Sequence, residues 1–140
     1  MAIATYDPKN VIVTVDGTNL SGFADGTFVT VERASETFTK VVGAYGEVAR
    51  VKSADRSGSM TITLMQTSNS NLFLNSLANR DEQSSDGIVA IQVKDSTTNT
   101  TINAREAWIK TKPKAEFGKD MGNREWVFEL ADVTLNHGGV

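Results

Sequence analysis

Few residues in this 140-residue chain are equipped for chemistry, and they are scattered. There is one histidine, His137, in NHGGV, and no cysteine. A histidine serves as general acid or base only when its ring is held in place; one beside paired glycines reads as a flexible tail. Without cysteine there is no disulfide, no thiolate metal site and no thiol nucleophile. A lone histidine also leaves an ordinary zinc site without its ligands. The stretch RDEQSSDG, residues 80–87, has the carboxylates of a calcium site. It lacks the alternating ligands and distal glutamate of a calcium loop, so a solvated helix end is expected. Asp55 and Arg56, flanked by serine and glycine, read as a turn with a surface ion pair, worth little to stability. A pair between subunits is the sharper alternative. Trp108 and Trp126 have the rings of a ligand-stacking platform, but each lies in an alternating apolar pattern, so core or interface packing is expected. Asn99-Thr100-Thr101 has glycosylation-acceptor spacing, which matters only on a secretory route. No G-x-S-x-G elbow or phosphate-cradling glycine loop occurs. These residues point away from an enzyme, and no cofactor or metal is expected.

The elements that would position such residues are mostly strands. The length fits one domain, residues 1–140, and the 39% hydrophobic and 22% charged residues are ordinary globular usage. A formal net charge of −3 is a poor basis for gripping a phosphate backbone. The opening MAIATYDPKN has no basic region followed by a long apolar stretch, and no apolar run is long enough to span a bilayer. Period-two alternation marks strands over residues 11–15, 28–33, 37–42, 47–52, 58–65, 88–94 and 102–111. Asp16-Gly17 and the segment 43–46 are turns between them. The last strand candidate, residues 125–135, places Trp126, Phe128 and Leu130 on one face and then switches parity to Val133 and Leu135. A bulge near Ala131-Asp132 accounts for the switch. One helix is expected around residues 69–80, gathering Leu72, Phe73, Leu74, Leu77 and Ala78, with Ser68 or Ser70 as N-cap and Asn79 as stop. The expected fold is therefore mainly β: two packed antiparallel sheets, a β-sandwich or barrel, with one flanking α-helix.

One strand stands out. In SGSMTITLMQTSNSN, residues 57–71, Met60, Ile62 and Leu64 share one face and Ser59, Thr61 and Thr63 the other. No charged residue occurs from Gly58 to Asn79. A solvated strand face normally includes Lys or Glu, so this hydroxyl face is expected to meet something other than bulk water.

Two stretches, TYDPKNVIVTVDG and GFADGTFVTVERASETFTKVVGAYGEVARVKSADRSGSMTITLMQTSNSN, resemble the tail-tube proteins of contractile-tailed bacteriophages. The matching pieces are Gly22-Phe23-Ala24-Asp25-Gly26, Val31-Glu32-Arg33, Gly46-Glu47-Val48, Asp55-Arg56-Ser57-Gly58 and Gln66-Thr67-Ser68, in order over about fifty residues. The likeness covers most of the chain and thins after Asp86. It implies packed sheets with a flanking helix and hexameric rings stacked into a hollow tube inside a contractile sheath. It further implies a tape-measure protein in the lumen before ejection, a baseplate initiator, and DNA that transits without specific binding. The location it implies is the virion tail, assembled in the host bacterial cytoplasm, with no membrane insertion.

Combined with that resemblance, the glycine-framed segment 43–58 is the expected ring-stacking element, with Tyr45, Glu47, Arg50, Lys52, Asp55 and Arg56 as its contacts. Ser59, Thr61 and Thr63 are expected to face the lumen or a neighbouring subunit. The N-terminal segment through Pro8 and the tail from Asn136 are further possible contacts. The same fold also accommodates a secreted tube protein of a type VI-like system or a tail terminator or baseplate protein. A third reading is a small-ligand-binding β-sandwich using the tryptophans.

Overall fold

The computed structural model describes residues 3–139. Alternation fixes most of its elements. A single 3-10 turn, Pro8–Asn10, leads into β1, Val11–Val15. Asp16 and Gly17 both have positive φ, 50° and 78°, the geometry that closes a two-residue hairpin onto β2, Thr18–Asn19. Then follow β3, Val29–Arg33, the pair β4, Phe38–Val42, and β5, Val48–Lys52, and β6, Gly58–Met65. After α1, Ser70–Ser84, come β7, Val89–Asp95, β8, Thr100–Thr111, β9, Asn123–Leu130, and β10, Val133–Asn136.

Eight strands form one antiparallel sheet in the order β2-β1-β7-β8-β9-β6-β3, with β10 running on from β9 along β8. Strands β4 and β5 form a second, two-stranded sheet. The expected mainly β fold with two antiparallel sheets and one helix is therefore found. The large sheet provides both walls of its own core: Val13 and Val15 of β1 and Met60, Ile62 and Leu64 of β6, from near opposite ends of the strand order, share one cluster with Leu74 and Leu77 of α1. The apolar face of a coiled sheet thus closes on itself with the helix as a lid. Arg33 ties the far edge to β10 by donating from Nη2 to the Val133 carbonyl at 3.0 Å.

The helix runs past its expected stop. Asn79 does not end it, because its side chain accepts from Lys112 Nζ at 2.6 Å while Arg80, Glu82 and Gln83 continue as good helix formers. The turn ends at Ser85, in the left-handed region with φ 55°. At the other end the N-cap is Asn69 rather than Ser68 or Ser70: Ser68 Oγ, one residue earlier, accepts from the Ser70 N–H at 3.1 Å, and Ser70 is already helical and buried. Leu74, Leu77 and Ala78 face the core, but Leu72 is 73% exposed, lying about 200° round the helix from Leu74. The acidic stretch 80–87 is the end of this helix, as expected: Arg80 Nε donates to the Asp86 carbonyl at 2.7 Å and Asp81 Oδ1 accepts from the Gly87 N–H at 3.2 Å.

The parity switch falls where the sequence placed it, at Ala131-Asp132, between buried Leu130 and buried Val133. The sequence did not reveal that β8 switches too. Ala104 and Ala107 both face the core, Arg105 and Glu106 lie between them, and the register against β7 slips there. Two neighbouring strands bend along one line, which lets the sheet coil.

Candidate assembly interface

The β4–β5 hairpin differs from everything around it. Each residue from Phe38 to Val42 and from Val48 to Lys52 is exposed. Residues directly opposite each other in an antiparallel pair share a face. One face therefore carries Phe38, Lys40, Val42, Val48, Arg50 and Lys52, and the other Thr39, Val41, Ala49 and Val51. Both faces are partly apolar, and neither packs on the core. At the tip, the Gly46 N–H reaches the Gly43 carbonyl at 3.0 Å and the Gly43 N–H the Glu47 carbonyl at 2.7 Å. Gly46 sits at φ 89°, as this turn requires. Tyr45 is 94% exposed there.

Of the expected stacking residues, Tyr45, Glu47, Arg50 and Lys52 belong to this hairpin. The Arg50 guanidinium lies 4.1 Å from the centre of the Phe38 ring, a cation–π contact that stiffens one face. Asp55 and Arg56 lie below it and do not pair with each other. Asp55 clasps the two legs: its carboxylate accepts from Ser57 Oγ at 2.6 Å, the Ser57 N–H at 2.9 Å and Ser35 Oγ at 2.8 Å. The Ser57 hydroxyl, then the Ser57 N–H and the Ser35 hydroxyl, hold its pKa below the ordinary 3.8. Arg56 reaches instead to Asp132, at 3.6 Å, across the break between β9 and β10. The reading of Asp55-Arg56 as a turn with its own ion pair is corrected: residues 53–57 are an irregular connection without a turn, and Arg56 has a different partner because serine donors already occupy the Asp55 carboxylate.

Ser59, Thr61 and Thr63 lie on the face of β6 turned from the core, and all three are half-buried. Their strand neighbours change the picture. Glu32 of β3 and Glu129 of β9 stand on either side of Ser59, and Glu125 stands opposite Thr63. Trp108 of β8 extends this row beyond Glu129, whereas Trp126 is buried and donates from Nε1 to Asn71 Oδ1 at 3.0 Å. The strand is uncharged, but its neighbours bring three glutamates beside it, of which Glu129 is paired with Lys110 Nζ at 3.2 Å, and only cross-strand register reveals that. A second row was also missed: Asn19, Thr14, Gln92, Asn103 and Thr134 line up across β2, β1, β7, β8 and β10 without a charge.

The two sheet edges are unequal. The Thr63 N–H bonds the Phe28 carbonyl and the Ala34 N–H the Ser57 carbonyl. In an antiparallel ladder this alternation turns the backbone groups of Val29, Val31 and Arg33 away from β6, along an edge with no further strand among the described residues. The opposite edge is partly covered: the Leu20 N–H meets the Val13 carbonyl and the Val11 N–H the Pro8 carbonyl.

Of the terminal segments, Ile3 and Tyr6 are exposed, as is the tail from Asn136 to Gly139. Met1, Ala2 and Val140 lie outside the described residues. His137 is exposed, and among the described residues no group of three or more acidic or histidine side chains is placed to hold a metal ion.

Comparison with known proteins gives a consistent result. Residues 3–138 match the family described as Bacteriophage PhiTE tail tube protein. Structural protein ORF10 of Pseudomonas phage KPP10 is 33% identical over 144 residues, covering 97% of this chain and 83% of that protein. Among solved structures, the sheath/tube terminator of an extracellular contractile injection system, PVC, in its extended state superposes with a TM-score of 0.65 at 14% identity, covering 97% of this chain and 99% of that one. A chain of the PVC sheath-tube complex gives 0.62 at 15% identity, covering 95% and 92%. At such identities the structural likeness establishes a common fold.

Proposed function

The chain belongs to the bacteriophage PhiTE tail tube protein family, and from that premise we propose how its surfaces build a tube. As a tail tube protein it is a structural component of the virion. Copies join side by side into rings, hexameric as in the resembling tail tubes, and the rings stack into a hollow conduit. The open β3 edge is satisfied by an edge of the next copy, since unpaired strand edges bind identical chains readily. The hairpin reaches the adjoining ring through Tyr45, Glu47, Arg50 and Lys52. Asp55 holds its base and Arg56 works beside it. The single domain contributes its two terminal segments as secondary contacts.

The face carrying Ser59, Thr61 and Thr63 lines the lumen. A seam between subunits would bury Glu32 and Glu125 with no cation among their ladder neighbours, at a cost of several kcal/mol per ion by typical estimates. Facing a water-filled channel they stay hydrated and repel phosphate, while Glu129 is paired with Lys110 at 3.2 Å. DNA then passes without sticking, and a tape-measure protein occupies the same bore beforehand. A contractile sheath surrounds the tube, a baseplate initiator nucleates it, and assembly takes place in the host cytoplasm. No catalysis and no cofactor is involved.

The observation that carries this reading is the fully exposed hairpin with apolar residues on both faces, a structure that is marginal alone in water. Electron microscopy of the purified chain tests it: long hollow filaments are expected. The likeness to a terminator favours one second reading, a protein that ends the tube, which isolated rings without filaments would support.

A further inference from the structure

The chain contains three Asp-Gly pairs, at residues 16–17, 25–26 and 86–87. We propose that the middle pair is a self-modifying site, at which Asp25 converts to isoaspartate without an enzyme. Glycine after an aspartate lacks the Cβ that would shield its peptide nitrogen, so that nitrogen can approach the side-chain carboxyl closely. In the reaction the Gly26 nitrogen bonds to Asp25 Cγ and the Cγ–OH bond breaks. The hydroxyl leaves with the amide proton as water. Water then opens the resulting succinimide ring. Opening at the original main-chain carbonyl leaves the peptide running through Cγ, with one more carbon in the main chain and the former main-chain carbonyl as a free carboxylate. Nothing is oxidised or reduced, and no co-reactant besides water takes part.

Geometry separates the three pairs. The Gly26 N–H points at Asp25 Oδ1, 3.1 Å away, so the nitrogen already lies against the carboxyl group it attacks. Both residues are exposed, and a Cβ added at Gly26 would meet nothing within 4 Å, so the ring has room to form. Among the described residues no ion pair holds the Asp25 carboxylate. The other two pairs are restrained. The Gly87 N–H donates to Asp81 Oδ1 at 3.2 Å instead of facing Asp86, and the Asp81 side chain fills the space beside it. Arg80 also holds Asp86, by its carbonyl at 2.7 Å and its carboxylate at 4.0 Å. Asp16 closes the β1–β2 hairpin at φ 50°, with its N–H on the Ala90 carbonyl at 2.9 Å and its carboxylate 4.0 Å from Arg80.

The modification would act on β6. The loop that carries Asp25 is fastened at both ends to one residue, Thr63. The Ala24 N–H donates to the Thr63 carbonyl at 3.1 Å, and the Phe28 carbonyl accepts from the Thr63 N–H at 2.9 Å. An extra main-chain carbon between these two anchors lengthens the loop at fixed anchor spacing and weakens the clasp, just where the chain enters β3.

The test ages the folded chain in warm buffer beside the same chain held unfolded in urea and the folded variant Asp25→Glu, whose longer side chain would have to close a larger ring. Peptide mapping with electron-transfer fragmentation reads isoaspartate at each pair, and labelled methyl transfer by isoaspartyl methyltransferase counts the total. In the folded chain, isoaspartate at residue 25 should exceed that at residues 16 and 86 by at least about tenfold, and the lead should vanish in urea. Asp25→Glu should remove most of the methyl acceptance. The Thr63 amide of aged chains should exchange hydrogen faster than that of fresh chains. An even spread over the three pairs, no isoaspartate at residue 25, or a lead that survives in urea would overturn the proposal.

Discussion

Strands β5 and β6 follow one another in the chain and are both rich in β-formers, yet they end in opposite surroundings. In β6, Met60, Ile62 and Leu64 are almost wholly buried. In β5, Val48 and Val51 are 68% and 54% exposed. Burial against the helix and β9 stabilises the first within one copy. The second gains nothing comparable until another copy arrives. The contrast separates what folds the subunit from what assembles it: the core of the coiled sheet closes within one copy, whereas the apolar faces of the hairpin stay uncovered.

Substitutions should respect that division. Phe128→Ala, in the middle of β9 and fully buried, should cost the unassembled subunit about 3–5 kcal/mol in denaturant unfolding. Val48→Ser should change the same measurement by no more than about 0.5 kcal/mol while sharply reducing tube yield. A large stability loss from the hairpin variant would break the comparison.

Asn71→Leu should cost about 1–3 kcal/mol, because it leaves the buried Trp126 N–H without its acceptor. Calorimetry on the unassembled chain would measure this. Its effect on tubes should follow stability alone, unlike that of a hairpin variant.

Arg50→Glu should raise the concentration needed for assembly by about tenfold, equivalent to about 1.4 kcal/mol per contact, with the melting temperature of the subunit unchanged. Sedimentation of tubes against dilution reads the shift. Arg56→Glu should weaken assembly in the same direction. Its ion pair with Asp132 is half-exposed, so the subunit should lose less than about 1 kcal/mol. Assembly curves identical to those of the unaltered chain would remove these arginines from the contact.

The smallest expected effect is on the hairpin's base. The pKa of Asp55 is lowered by folding, so its contribution is present above the ordinary 3.8 and is lost as pH falls through the lowered folded value. Hydrogen exchange at the Ser57 amide should accelerate in that acidic range, before the amides of β6 and β9 respond. Simultaneous loss of protection in all three would mean that the hairpin base is no weaker than the core.

Much of this was legible in the residues. Met60, Ile62 and Leu64 gave the inward face of β6, and the shift from Leu130 to Val133 gave the bend at Ala131-Asp132. Alternation records which side chains leave one face together, and burial follows. It cannot say what covers a face. Phe38, Val41, Val42, Val48 and Val51 read like core strands, because an interface closed by another copy calls for the same apolar residues as a core. Nor does one strand reveal its neighbours. The glutamates beside Ser59 come from β3 and β9, and the row from Asn19 to Thr134 spans five strands. Both depend on register, which long-range pairing sets. The helix end was misplaced because Asn79 has the chemistry of a stop, while the lysine that recruits its side chain lies thirty-three residues on.

The most direct test of the division between subunit and assembly is electron microscopy of the purified chain beside a variant in which residues 38–52 are replaced by two glycines. The expected result is hollow filaments from the unaltered chain and folded single particles or isolated rings from the variant. Filaments of normal length from the chain lacking its hairpin would contradict the assignment of ring stacking to that element.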